Sequence, residues 1–172
     1  MRDFGPWRAL KGCRAQDAAA TYDGRLIYAC GRNNRLYWYD QSAATFRQLA
    51  GSPLCRRVGV DDNLTPWIVG TDGRVYRYTF ETQEWSWVPG CIAQDVGCGG
   101  GQVYACGVEE ALFKYNPVLE QFEEIQGLGV RIAVGTDGTA WHVNSAGMLW
   151  RNTPDRGWVR VPSQMPICDI GL

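Results

Sequence analysis

The chain has 172 residues, 45% hydrophobic and 20% charged, with 17 basic and 18 acidic side chains and a net charge of −1. This composition suits one folded domain with its own core and excludes a disordered tail. It also excludes an electrostatic drive toward nucleic acid or an anionic membrane, and no apolar run reaches the roughly 18 residues of a membrane span.

The opening MRDFGPWRAL lacks the apolar stretch of a secretory leader, so a cytoplasmic location is expected unless a leader was removed. The first predicted element is a strand at 7–12, in which Trp7 is followed by Leu10 and Gly12. A first unit, 13–51, then holds strands DAAAT (17–21), LIYACG (26–31), LYWY (36–39) and FRQLAG (46–51). A second, 52–90, holds RVGV (57–60), PWIVG (66–70), VYRY (75–78) and WSWVPG (85–90). A third, 91–127, holds DVGCG (95–99), VYACG (103–107), LFKY (112–115) and FEEIQG (122–127). A fourth, 128–163, holds RIAVG (131–135), AWHVN (140–144), MLWR (148–151) and WVRVPS (158–163). A last partial segment, 167–172, repeats only a first strand, DIGL.

These runs are short, β-branched and aromatic, and Asp-Gly or Asn-Asn pairs separate them. No stretch sustains a 3.6-residue period, so helix is not expected. Four antiparallel strands repeating every 37–39 residues, read from those spacings, match a propeller blade. The expected fold is an all-β propeller of four full blades within one domain, 1–172, plus an extra outer strand at 7–12 and an extra inner strand at 167–172. That arrangement is expected of an incomplete six-bladed ring, or of a ring completed by another chain. Units one and three share CRAQD/CIAQD and YACG, so the duplicated unit is two blades.

One column alternates in charge: Asp17, Arg57, Asp95, Arg131, Asp169. The first strand of a blade normally lines the central channel, so these residues are expected to form a structural ring of inter-blade ion pairs. The alternative is that they only solvate the channel mouth. A second column, Trp38, Arg77, Lys114 and Trp150, varies from blade to blade and is the candidate binding set. Its alternative role is to fill gaps between blades, with the long stems snorkelling. The loops 32–35, 61–65 and 108–111 are further candidates.

Seven cysteines include no C-x-x-C pair, and Cys30 and Cys106 share a column with Val69 and Val143, so reduced, buried thiols are expected. The single histidine, His142, stands in the column of Ala29, Ile68 and Ala105 and is expected to be a hydrogen-bonded core residue. No histidine cluster exists for a metal, and no cofactor is expected. Gly97–Gly101 lacks the Lys-Ser/Thr of a phosphate loop and reads as a tight turn. The acid pairs Asp61-Asp62, Glu109-Glu110 and Glu123-Glu124 read as solvated surface. On these grounds no enzyme is expected.

The motifs Asp95-Val96-x-Cys98-Gly99, Arg131-Ile132-Ala133-Val134, Trp67-Ile68-Val69-Gly70, Val75-Tyr76-Arg77-Tyr78 and Trp85-x2-Val88-x-Gly90 recur in fixed order. In this the chain resembles the tectonin family of β-propellers, which includes tachylectin and fish egg lectins. It departs from the pattern at Ala18-Ala19-Ala20 in the first unit and in using Phe46 and Phe122 where the family has Trp. Kelch and quinone-binding propellers share an LFKYNP-like third strand and are the alternative family. Two functions follow as expectations: an intracellular protein-interaction or scaffold propeller within a larger assembly, or a carbohydrate- or lipopolysaccharide-binding lectin, which the resemblance implies. The expected partners are therefore proteins or glycans.

Overall fold

A computed structural model describes residues 9–171. Their sixteen strands form four separate antiparallel sheets, each in sequential order, and no helix is present among them. The first sheet is β1 (Ala15–Ala20), β2 (Ile27–Gly31), β3 (Leu36–Asp40) and β4 (Thr45–Gln48). The second is β5 (Cys55–Val60), β6 (Pro66–Gly70), β7 (Val75–Thr79) and β8 (Glu84–Val88). The third is β9 (Ala93–Gly99), β10 (Gln102–Gly107), β11 (Ala111–Asn116) and β12 (Gln121–Leu128). The fourth is β13 (Arg131–Val134), β14 (Ala140–Val143), β15 (Leu149–Thr153) and β16 (Gly157–Val161). Each sheet is a blade of a four-bladed β-propeller arrangement.

A blade with apolar residues on both faces needs a neighbour on each, and the core lies in the seams between blades. Tyr28, Cys30 and Leu36 of blade 1 pack on Cys55, Val58, Val60 and Ile68 of blade 2. Trp67, Val69, Val75 and Val88 meet Ala93, Val96, Ala105 and Phe122 in the second seam. Tyr104, Cys106 and Leu112 meet Ile132, Val134 and Ala140 in the third. The inner strands follow one another in chain order, β1 on β5, β5 on β9 and β9 on β13. They come close because their residues are small: a Cβ on Gly97 would sit 2.9 Å from the Ile132 carbonyl oxygen.

The turn between the second and third strand of every blade joins it to the next. One residue in it has a left-handed φ: Asn34 (60°), Gly73 (81°), Glu110 (67°) and Gly147 (73°). The carbonyl of that residue accepts the amide two residues before the inner-strand charge of the following unit. The bonds are Cys55 N to Asn34 O (2.8 Å), Ala93 N to Gly73 O (2.7 Å), Gly129 N to Glu110 O (2.7 Å) and Ile167 N to Gly147 O (3.0 Å). The segment after blade 4 therefore docks as the start of another inner strand would. Asp169–Gly171 takes no strand conformation, and Leu172 lies outside the described residues.

Of the predicted strand at 7–12, Trp7 lies outside the described residues, and Lys11 forms an isolated parallel bridge to Thr45. Phe46 N donates to Lys11 O (2.8 Å) as Phe122 N donates to Pro89 O (2.8 Å). Residues 11–12 thus sit against blade 1 as 89–90 sit against blade 3.

The registers correct one predicted column. Trp38, Arg77 and Lys114 each face the aromatic residue of the second strand: Tyr28, Trp67 and Tyr104. In blade 4 the residue facing Trp141 is Arg151, and Trp150 faces His142. Trp150 therefore belongs with Tyr37, Tyr76 and Phe113 on the other side of the sheet. The turn between third and fourth strands is one residue shorter in blade 4: Asn152 pairs with Trp158 at a spacing of six, where Tyr39 pairs with Phe46 at seven. A slip of one residue moves a side chain to the opposite face.

Candidate functional site

The inner strands β1, β5, β9 and β13 border a cavity of about 880 Å³. Small residues line its waist, including Ala18, Gly59, Gly97 and Ala133. Polar and charged groups gather at its two ends, and the ends differ.

At the end where the inner strands begin stand Asp17, Arg57, Asp95, Arg131 and Asp169. Arg57 lies between two carboxylates, with Nη1 3.4 Å from Asp17 Oδ1 and Nε 3.8 Å from Asp95 Oδ1. Arg131 Nε is 3.6 Å from Asp169 Oδ1, and its Nη1 donates to Val130 O (2.7 Å). The acids also do something the charge pattern does not reveal. Asp17 Oδ2 accepts from Val58 N (2.7 Å), and Asp95 Oδ2 accepts from Ile132 N (2.9 Å). Each of these two carboxylates thus clamps the inner strand of the following blade by its backbone. Asp169 accepts instead from its neighbour Ile170 N (3.0 Å), and its side chain is 64% exposed against 11% for Asp95.

Burial pushes the Asp95 carboxyl up to about 6, although the Ile132 amide and the Arg57 guanidinium favour its ionised form. Asp17 is raised for the same reason and less so, held back by the Val58 amide and Arg57. Asp17, Arg57 and Asp95 form pairs of low exposure that join blades 1, 2 and 3, whereas Asp169 is largely exposed and no ion pair links Asp95 to Arg131 among the described residues.

A smaller polar pocket at the same end is lined by Gln16, Arg56, Arg57, Gln94 and Arg131. Gln16 Nε2 donates to Asn34 Oδ1 (3.1 Å) and Gln94 Nε2 to Gly107 O (2.8 Å), which fixes both amides. On this side the residue three before Arg57, Asp95 and Arg131 is aliphatic and exposed: Leu54 (42%), Ile92 (47%) and Leu128 (59%). Val108 (54%), whose amide donates to Ile92 O (3.0 Å), joins them. At the opposite end Tyr22, Asp23, Asp61, Asp62 and Leu64 border the cavity. One mouth therefore mixes arginines and amides with the carboxylates of Asp17, Asp95 and Asp169, whereas the other carries the carboxylates of Asp23, Asp61 and Asp62.

The predicted column does not converge on one surface. Trp38 packs into the first seam beside Tyr28. Arg77 lies over Trp67 at 5.6 Å and reaches blade 3, donating to the Tyr115 hydroxyl (2.9 Å). Lys114 Nζ is 5.5 Å from the Tyr104 ring, and Arg151 lies 5.6 Å over Trp141. Three of the four blades thus carry a cation over the facing aromatic, a cross-strand pairing that stabilises the blade. Trp150 instead stacks on His142 at 6.1 Å between centroids. Of the loops, 61–65 is held by Asp61, which accepts from Asn63 N, Thr65 N and Trp67 Nε1. Loops 32–35 and 108–111 are the turns that dock the next blade.

Reading the sequence by columns missed the Leu54, Ile92 and Leu128 set. Its signal was present, since counting three back from Arg57, Asp95 and Arg131 lands on an aliphatic residue each time.

No protein-family model matches the chain, and no curated protein matches its sequence. Solved structures do match. A structural-genomics protein of unknown function from Bacteroides thetaiotaomicron VPI-5482 superposes with a TM-score of 0.66 at 15% identity, over 91% of this chain and 49% of the other. Virginiamycin B lyase from Staphylococcus aureus superposes with a TM-score of 0.65 at 13% identity, over 87% of this chain and 55% of the other. The chain spans about half the length of each. At these identities the likeness shows the propeller fold. It also corrects one expectation from the sequence: an enzyme is built on the same architecture, so the lack of a familiar catalytic motif does not set catalysis aside.

Proposed function

We propose that the chain is a protein-interaction module of tectonin type within a larger assembly, and that it docks its partner on the face where the inner strands begin. The observation that carries this reading is the set of exposed aliphatics Leu54, Ile92, Val108 and Leu128 on the side where the inner strands begin, the side of the fixed amides and arginines. Repeated aliphatics at one register position have no fold of their own to stabilise when exposed. Exposed aliphatics on the side of polar groups that are already oriented are what a protein partner can bury. Arg56, whose Nε donates to Gly70 O (3.2 Å) and which makes no ion pair among the described residues, suits a carboxylate on that partner.

Cross-linking with mass spectrometry tests it, comparing the wild type with a Leu54→Asp/Ile92→Asp variant and a Tyr22→Ala variant. The first variant loses the captured partners while the second keeps them. Equal capture by all three proteins overturns the reading.

A lectin is the second reading. Tyr22, 91% exposed beside Asp23 and the Asp61-Asp62 pair, offers a stacking face with carboxylates at the other mouth. On a glycan array this reading requires binding that Tyr22→Ala abolishes.

A further inference from the structure

Two fully buried sulfurs meet in the first seam. Cys30 lies on β2 and Cys55 opens β5, each at 0% exposure, and their Sγ atoms are 2.6 Å apart. Non-bonded carbons rest about 3.5–4.0 Å apart, and sulfur is larger. A disulfide bond is about 2.05 Å. The separation is thus well inside any thiol–thiol contact and a short movement from a bond.

The other seams show that this closeness is not imposed by the fold. The equivalent positions hold Val69 with Ala93 in the second seam and Cys106 with Gly129 in the third. Blade 3 repeats the YACG cysteine, but its would-be partner has no side chain. Blade 2 fills the same space with hydrocarbon. Only the first seam places sulfur at both positions.

We infer that Cys30 and Cys55 are a cross-linking site, joined by a disulfide that staples blade 1 to blade 2. This departs from the expectation that the thiols are mostly reduced. The oxidant is a low-molecular-weight disulfide. Two S–H bonds break, the two protein sulfurs give up two electrons to form one S–S bond, and the small disulfide takes those electrons and both protons to become two thiols.

Exchange proceeds through a thiolate. In the folded protein the Cys30 thiol is pushed up by its contact with Cys55 and by burial, so its thiolate is disfavoured there. Both sulfurs are also fully buried, out of reach of an outside disulfide once the seam has closed, so the bond forms while the chain is folding. Cys13, half-buried and near enough that its thiolate would repel one on Cys55, is the competing partner.

The experiment refolds the full chain in a glutathione redox buffer, alkylates it under denaturing conditions and maps the peptides. Two of the seven cysteines remain unalkylated, and the Cys30 peptide is joined to the Cys55 peptide. The refolded protein melts higher than the same protein after reduction. Cys55→Ala, which copies Ala93, loses both the blocked pair and the difference in melting temperature. Cys30→Val, which copies Val69, does the same and serves if the first variant fails to fold. Alkylation of both cysteines in correctly refolded protein overturns the inference, as does a Cys13–Cys55 link.

Discussion

His142 and Asp95 are buried titratable groups with opposite effects on acid stability. His142 is 2% exposed, stacked on Trp150 and edge-on to Trp158 at 4.5 Å, and its Nδ1 has no hydrogen-bond partner among the described residues. The sequence led to a packed and hydrogen-bonded imidazole; it is packed, but one nitrogen is left over. Burial lowers its pKa from 6.5 to about 4. Between those values the unfolded chain binds the proton and the fold does not, so this residue makes stability rise with pH. Asp95 is raised from 3.8 to about 6, so there the fold holds the extra proton and stability falls as pH rises through that window. Each effect is worth up to about 3 kcal/mol, and from pH 4 to 6 they largely cancel. His142→Ile, which copies Ile68, removes one of the two. Urea denaturation of that variant shows stability declining from pH 4 to 6, where the wild type is nearly flat.

The inner strands of blades 1, 2 and 3 are joined side by side through alternating charges. Arg57 answers both Asp17 and Asp95, and each acid also holds the next strand by an amide. Removing the cation leaves two poorly hydrated carboxylates facing each other. Arg57→Met is expected to cost about 3–5 kcal/mol at pH 7, the range for an uncompensated buried charge. The loss shrinks below about pH 6, because Asp95 takes up a proton there. Denaturation midpoints at pH 7 and pH 5 check this, and a loss under about 0.5 kcal/mol at pH 7 would mark the ring as solvated surface. The alternation itself was legible in the sequence as a column of Asp and Arg. The backbone clamp was not, since an Asp that binds a guanidinium and an Asp that binds an amide look the same in a string of letters.

The whole molecule is stable as a stack. Trp67, Ile68, Val69 and Val75 of blade 2 are buried by blades on both sides. Cut out alone, residues 52–90 would expose both faces, and three or more strands without a covered apolar face do not hold. Circular dichroism of that fragment is expected to show no cooperative thermal transition, whereas the full chain shows one. Strand periodicity, turn chemistry, the repeat length and the alternating inner charge all depend on neighbours in sequence, and for that reason the sequence alone determined them. Register in blade 4, the docking carbonyls of Asn34, Gly73, Glu110 and Gly147, the exposure of Leu54, Ile92 and Leu128, and the meeting of Cys30 with Cys55 were decided only by the tertiary structure. Each depends on which strand lies opposite or which blade lies alongside. A turn one residue shorter can change the first without altering the local pattern, and the second is set by packing between residues far apart in the chain.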